Sequence, residues 1–276
     1  MSISNKLEDQ FPVFVFNLRH SIHKKYNWIL ALSMFLPILA YWSSVFFTDR
    51  DLSNGLYWVR YYRIYFRVTL FYLVSFTALL VGTGMFRDLL TENTIVYLFT
   101  KPIKRNRIYF ETLGAYFLIS ISIVTPGIIT YHIFGDLVAR IYDTQFTLGI
   151  LQSIYNLLLE LLGAYIILFG LGAVFVMTGL GLKRPLLINL LIAFGIIIEA
   201  FLLDLIANNY EPVYIASNIV SKGVIGFSNL PRVDERIYRF SLGLGYEPID
   251  TFLNFLLVFI ASLLIGHYVS KKKQLI

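Results

Sequence analysis

The chain has 276 residues, with 23 Lys and Arg against 17 Asp and Glu, and no cysteine. Hydrophobic residues make up 57% of it and charged residues 14%, whereas a soluble domain averages roughly 45–50% and about 25%, so water alone is a poor match for its surface. The lack of cysteine excludes disulfides, thiolate metal sites and cysteine nucleophiles. The net charge of +6 is scattered between apolar runs, not gathered into the stripe that nucleic acid requires.

In chain order, the first element lies ahead of any run long enough to cross a membrane. Phe11, Phe14, Val15, Leu18 and Ile22 recur at helical spacing and make one apolar stripe, with Asn17, His20 and Lys24 on another face. Pro12 suits a first helical turn. The pattern predicts an interfacial helix over about residues 10–25, lying in the headgroup plane; the alternative is a plain extension of the first span. His20 and His23 read as headgroup-facing.

A spanning helix needs roughly 20 mostly apolar residues. Six stretches qualify: Trp28–Phe47, Val68–Met85, Phe110–Phe134, Leu157–Gly181, Leu186–Ile206 and Thr251–Tyr268. The first starts behind a polar and basic stretch and is too long for a signal core. In the third, Thr125-Pro126-Gly127 predicts a kink, because proline removes a helical hydrogen bond. The fourth has an ambiguous start, since apolar sequence begins at Leu148. Its glycine pairs, Gly163 with Gly170 and Gly172 with Gly179, mark lines where a neighbouring backbone can come close. The long segment 207–250 contains Glu211-Pro212 and Leu230-Pro231, two proline-led starts of short helices.

With six spans both termini fall on one side, and basic residues choose the side. The N-terminal segment, the loop 86–109, the turn 182–185 and the tail hold 14 of the 23 Lys and Arg, and four acidic residues. The three opposite segments hold nine of each sign. This predicts a multi-pass protein of the cell membrane with both ends in the cytoplasm. Arg60, Arg63 and Arg67 sit on the outer side, against the rule.

Carboxylates inside spans are costly and are functional candidates. Glu160, Glu199 and Asp204 qualify, all toward the outer half. They read either as a gate or polar pathway lining, or as partners of Arg60, Arg63 or Arg67. The sequence holds no His-Glu-x-x-His pair, no Gly-x-Ser-x-Gly elbow and no clustered metal ligands, and His132 and His267 fall inside spans, so the chain does not read as an enzyme.

Between the second and third spans runs Glu92-Asn93-Thr94-Ile95-Val96-Tyr97-Leu98-Phe99-Thr100-Lys101-Pro102-Ile103-Lys104-Arg105. A short helix is expected from Glu92 to Phe99, stopped by Pro102 and followed by a basic cluster of Lys101, Lys104, Arg105 and Arg107. On charge alone this reads as a positive-inside anchor. Its wording resembles the signature of ABC type-2 permeases, the membrane subunits of a class of ATP-binding-cassette exporters. Thr94, Leu98, Thr100, Lys101, Pro102, Ile103 and Arg105 fall on that signature. Asn93 stands where glycine is usual, and Glu92 lies one place from the usual carboxylate.

The resemblance implies a single all-α transmembrane domain with an interfacial helix, six spans, a coupling segment after span two and short outer helices between spans five and six. It also implies that Glu92, Thr94, Leu98, Lys101, Pro102, Lys104, Arg105 and Arg107 contact a separate ABC ATPase subunit, together with the N-terminal helix. The chain has no phosphate-cradling Gly-x-x-x-x-Gly-Lys-Ser/Thr loop, so ATP and Mg would belong to that partner, and this chain would bind no cofactor itself. A second permease copy or a sister permease would complete the pathway. The competing readings are an ATP-independent carrier or channel, and a non-transporting membrane scaffold subunit. The sequence does not name a cargo.

Overall fold

The computed structural model describes residues 10–47, 73–91, 104–141, 150–181, 185–194 and 248–272. Among them all regular structure is helical, with no strand. The helices are α1 (Pro12–Ile22), α2 (Lys25–Ser33), α3 (Leu36–Phe47), α4 (Ser75–Thr91), α5 (Arg105–Ile141), α6 (Ile150–Gly181), α7 (Pro185–Phe194) and α8 (Pro248–Lys272). Two of them, α5 and α6, are long and apolar enough to cross a membrane. The helices expected within Glu92–Phe99 and at Pro212 and Pro231 lie outside the described residues, as do Arg60, Arg63 and Arg67.

The expected first span is two helices. Met34 and Phe35 form a turn between α2 and α3. Pro37 explains it: its ring has no N–H to give the carbonyl of Ser33 and would clash with that carbonyl in a continuous helix, whereas near the start of α3 both faults vanish. The break is packed tightly. A Cβ at Gly127 of α5 would come within 2.5 Å of the Met34 Cβ, so only glycine lets α5 lie against it. Pro126, expected to kink its helix, sits inside α5, and the helix continues through it to Ile141.

α5 and α6 form an antiparallel pair, as their cross-links show. Tyr116 bonds the carbonyl of Leu168 at 2.9 Å, Thr125 meets the Tyr165 hydroxyl at 2.7 Å, and His132 meets Glu160 at 3.0 Å. As the α5 residue number rises, the α6 number falls. α8 runs antiparallel to α5 as well, with Tyr109 reaching the Ser262 carbonyl and Phe117 packing on Phe259.

One packing device occurs twice. Tyr116 lies across Gly172, and its hydroxyl donates to Leu168, the residue whose carbonyl Gly172 faces one turn back. Tyr109 lies across Gly266 and donates, at 3.3 Å, to Ser262, again four residues earlier. A side chain at either glycine would overlap the ring. The bare glycine opens a helix carbonyl to a second donor while the ring fills the notch. The sequence marks Gly172 as a place where a backbone can approach. A Cβ on Gly82 of α4 would lie 3.5 Å from the Gly172 carbonyl, so α4 does come close, and the Tyr116 ring occupies the rest of the notch.

Candidate functional site

α1 is a separate helix, not an extension of α2, because Lys24 between them takes an extended backbone. Its buried face is Val13, Asn17 and Ser21. The apolar stripe read from the sequence lies off this face: Phe11 and Ile22 are exposed, and Phe14, Val15 and Leu18 are only partly covered. Asn17, assigned to the polar face, turns inward instead because its amide donates to Thr112 Oγ1 at 3.2 Å.

The start of α1 is held by a carboxylate from another helix. The first N–H groups of any helix lack intrahelical partners, and here Glu111 Oε2 accepts from Val13 N at 2.9 Å and Phe14 N at 3.1 Å. Glu111 Oε1 accepts from Arg107 Nε at 2.5 Å, and the Arg107 guanidinium lies 5.8 Å from the Phe11 ring centroid. Negative charge at a helix N-terminus also suits the helix dipole. The other end of α1 is held from α2: the Asn27 amide donates to the Ser21 carbonyl and the Trp28 indole to the Ile22 carbonyl, both at 2.8 Å. α1 is thus clamped at both ends by side chains from outside it, and its N-terminal clamp stands at the first turns of α5.

The expected coupling residues divide accordingly. Glu92, Thr94, Leu98, Lys101 and Pro102 lie outside the described residues. Lys104 is exposed just ahead of α5, and its carbonyl accepts from Arg107 N at 2.9 Å. Arg105 opens α5. The Arg107 side chain is 44% exposed and is bound to Glu111, so it serves the α1 clamp.

The preceding side of the loop has its own anchor. Asn189 of α7 is fully buried. Its amide donates to Thr83 of α4 at 2.7 Å and to the Phe175 carbonyl of α6 at 3.2 Å, and its Oδ1 accepts from Thr178. Thr83 lies eight residues before the end of α4, which leads into the expected coupling segment. A buried amide satisfied on both sides ties three helices together there.

At the far end of α5 the candidate carboxylate Glu160 is completely buried. It meets His132 Nδ1 at 3.0 Å, while His132 Nε2 lies 3.0 Å from Ser153 Oγ. The alternative partners read from the sequence, Arg60, Arg63 and Arg67, are outside the described residues, as are Glu199 and Asp204. Among the described residues no group of three His, Asp or Glu side chains could hold a metal ion.

Sequence reading missed Glu111, Asn189 and the His132–Glu160 contact. Glu111 stands one residue inside the expected third span, where it passes for a headgroup-level acid. Its signal is a carboxylate four residues after Arg107, the spacing of a helical ion pair. No local pattern links residues 98 or 106 positions apart. No known family model matches the chain, and no curated protein is found to match it.

Proposed function

We propose that the chain is the membrane-spanning permease subunit of an ATP-driven exporter of the ABC type-2 class. It would sit in the cell membrane with six spans and both termini in the cytoplasm, pair with a second copy or a sister permease, and take its drive from a separate ABC ATPase subunit that carries ATP and Mg. The observation that carries this reading is the Glu111 clamp. Two cytoplasmic pieces are needed to receive motion from an ATPase in such a machine, the N-terminal helix and the segment ending at Arg107. Glu111 joins them where α5 begins, so force applied to either reaches a helix of spanning length. The Asn189 anchor does the same for α4 on the loop's other side.

The surface supports a lipid setting. Large apolar side chains stand exposed along most of the helices, among them Leu32, Leu39, Leu151, Leu191 and Leu257, with Leu151 at 85%. Apolar exposure so widely spread suits lipid better than water. The carrier reading has one observation in its favour, the buried His132–Glu160 contact, since ionisable groups within spans are often part of ion pathways.

A tagged full-length chain, extracted in mild detergent and assayed for bound ATP hydrolysis, tests the proposal. A co-purifying ATPase is expected, and it should be lost when Lys101, Lys104 and Arg105 are all replaced by Glu. Arg107 is left alone in this test because the α1 clamp uses it. A chain that emerges without an ATPase, under conditions that keep other such complexes whole, refutes the proposal.

A further inference from the structure

We propose that His132 and Glu160 form a proton-binding site near the far end of α5, reached past Ser153, so that the charge of this end of the molecule follows the pH of the solution it faces. The reading does not rest on which partner drives transport.

The argument starts from burial. Glu160 has no exposed surface and His132 is 8% exposed. A lone carboxylate in such a place is costly, and His132 Nδ1 at 3.0 Å supplies a hydrogen-bond donor. With Glu160 ionised, Nδ1 carries a proton and the ring's second nitrogen faces Ser153 Oγ at 3.0 Å. In the neutral ring Nε2 accepts from the hydroxyl, and once Nε2 is protonated it donates to the same oxygen. One proton therefore enters or leaves with both ring contacts kept, the Ser153 hydroxyl turning its own hydrogen away, and the pair switches between net neutral and net negative. Ser153 is the half-buried member of the three. It therefore stands between the buried pair and the surface.

Among the described residues, the charge that acts on the site from its own helix is itself paired. On α5, Asp136 is close enough to act on His132, but its carboxylate is bound to Arg140 at 3.2 Å. α6 supplies Glu160 itself, with Tyr155 exposed nearby. α3 contains no charged residue or histidine, α4 none before Arg87, and α8 places Asp250 in its first turn at the same end. Along α5 the 21 positions from Glu111 to His132 rise by about 32 Å at 1.5 Å per residue, close to the roughly 30 Å hydrocarbon core. The site thus lies one membrane thickness away from the α1 clamp.

The test is ¹⁵N-histidine NMR of the full chain in lipid nanodiscs, with His132→Gln assigning the signal among the four histidines. At high pH His132 should show a protonated Nδ1 and a bare Nε2, and Nε2 should take up a proton on acidification. Glu160→Gln should move the midpoint by about one unit or more, since a buried neighbouring charge acts on that scale. Ser153→Ala should slow proton exchange at His132. If His132 does not titrate between about pH 4 and 9, the span that brackets ordinary histidine behaviour, the proposal fails on the wild-type chain alone. An unchanged midpoint in a folded Glu160→Gln variant overturns it equally.

Discussion

At the Arg105 end of α5, Glu111 gives its oxygens to two backbone N–H groups and an arginine; at the other end, Glu160 meets a histidine side chain that passes the contact on to a serine. Both carboxylates are buried, and burial alone would not distinguish them. The donors do. Backbone N–H groups cannot move without moving a helix, so Glu111 is a mechanical fixture. An imidazole can gain or lose a proton in place, so Glu160 belongs to a site that can change charge without moving a helix. A carboxylate in a helical bundle is therefore read from what donates to it, and only then from its depth.

The largest expected effect removes both ends at once. Gly172→Val would drive a branched side chain into Tyr116 beside Gly82, and forced overpacking of this kind costs about 1–3 kcal/mol or more. Unfolding in detergent, followed by circular dichroism, should show the loss as a lower midpoint. An unchanged midpoint would mean that α4, α5 and α6 are not held together at this notch.

Glu111→Ala should act at one end only. Loss of a helix N-cap costs about 0.5–2 kcal/mol, so amide exchange in α1 should rise several-fold while the amides of α5 around His132 keep their protection. If exchange rises equally at both ends, the clamp is not local and the contrast between them fails.

Arg107→Gln is the smallest and sharpens the comparison furthest. Its side chain is nearly half exposed, and such ion pairs contribute roughly 0–1 kcal/mol. α1 should stay docked, because Val13 and Phe14 still donate to Glu111. Release of α1 on this change would shift the holding role from backbone to arginine.

Much of the helical layout was legible in the sequence. The apolar runs Phe110–Phe134 and Leu157–Gly181 fall within α5 and α6, the two helices long and apolar enough to cross a membrane. The split between α2 and α3 was legible too, in Pro37, but the apolar run around it masks the break. Proline had opposite outcomes at two positions: Pro37 follows a break, whereas Pro126 sits inside an unbroken helix, beside a glycine that lets α2 and α3 pack close. The site was legible only in part. Glu160 was a candidate by its depth, but its partner comes from another helix, 28 positions away. The inward turn of Asn17 was hidden for the same reason: periodicity reports which residues share a face, and the partner on the facing helix decides which face is buried.

The central claim is that α5 crosses the membrane with its clamp inside and its proton site toward the outside. The chain has no cysteine, so single cysteines at Lys104 and Arg140, both exposed and at opposite ends of α5, give a clean readout with a membrane-impermeant thiol reagent on intact cells. Arg140→Cys should label at once and Lys104→Cys only after permeabilisation. Labelling of both positions from the same side would contradict the account.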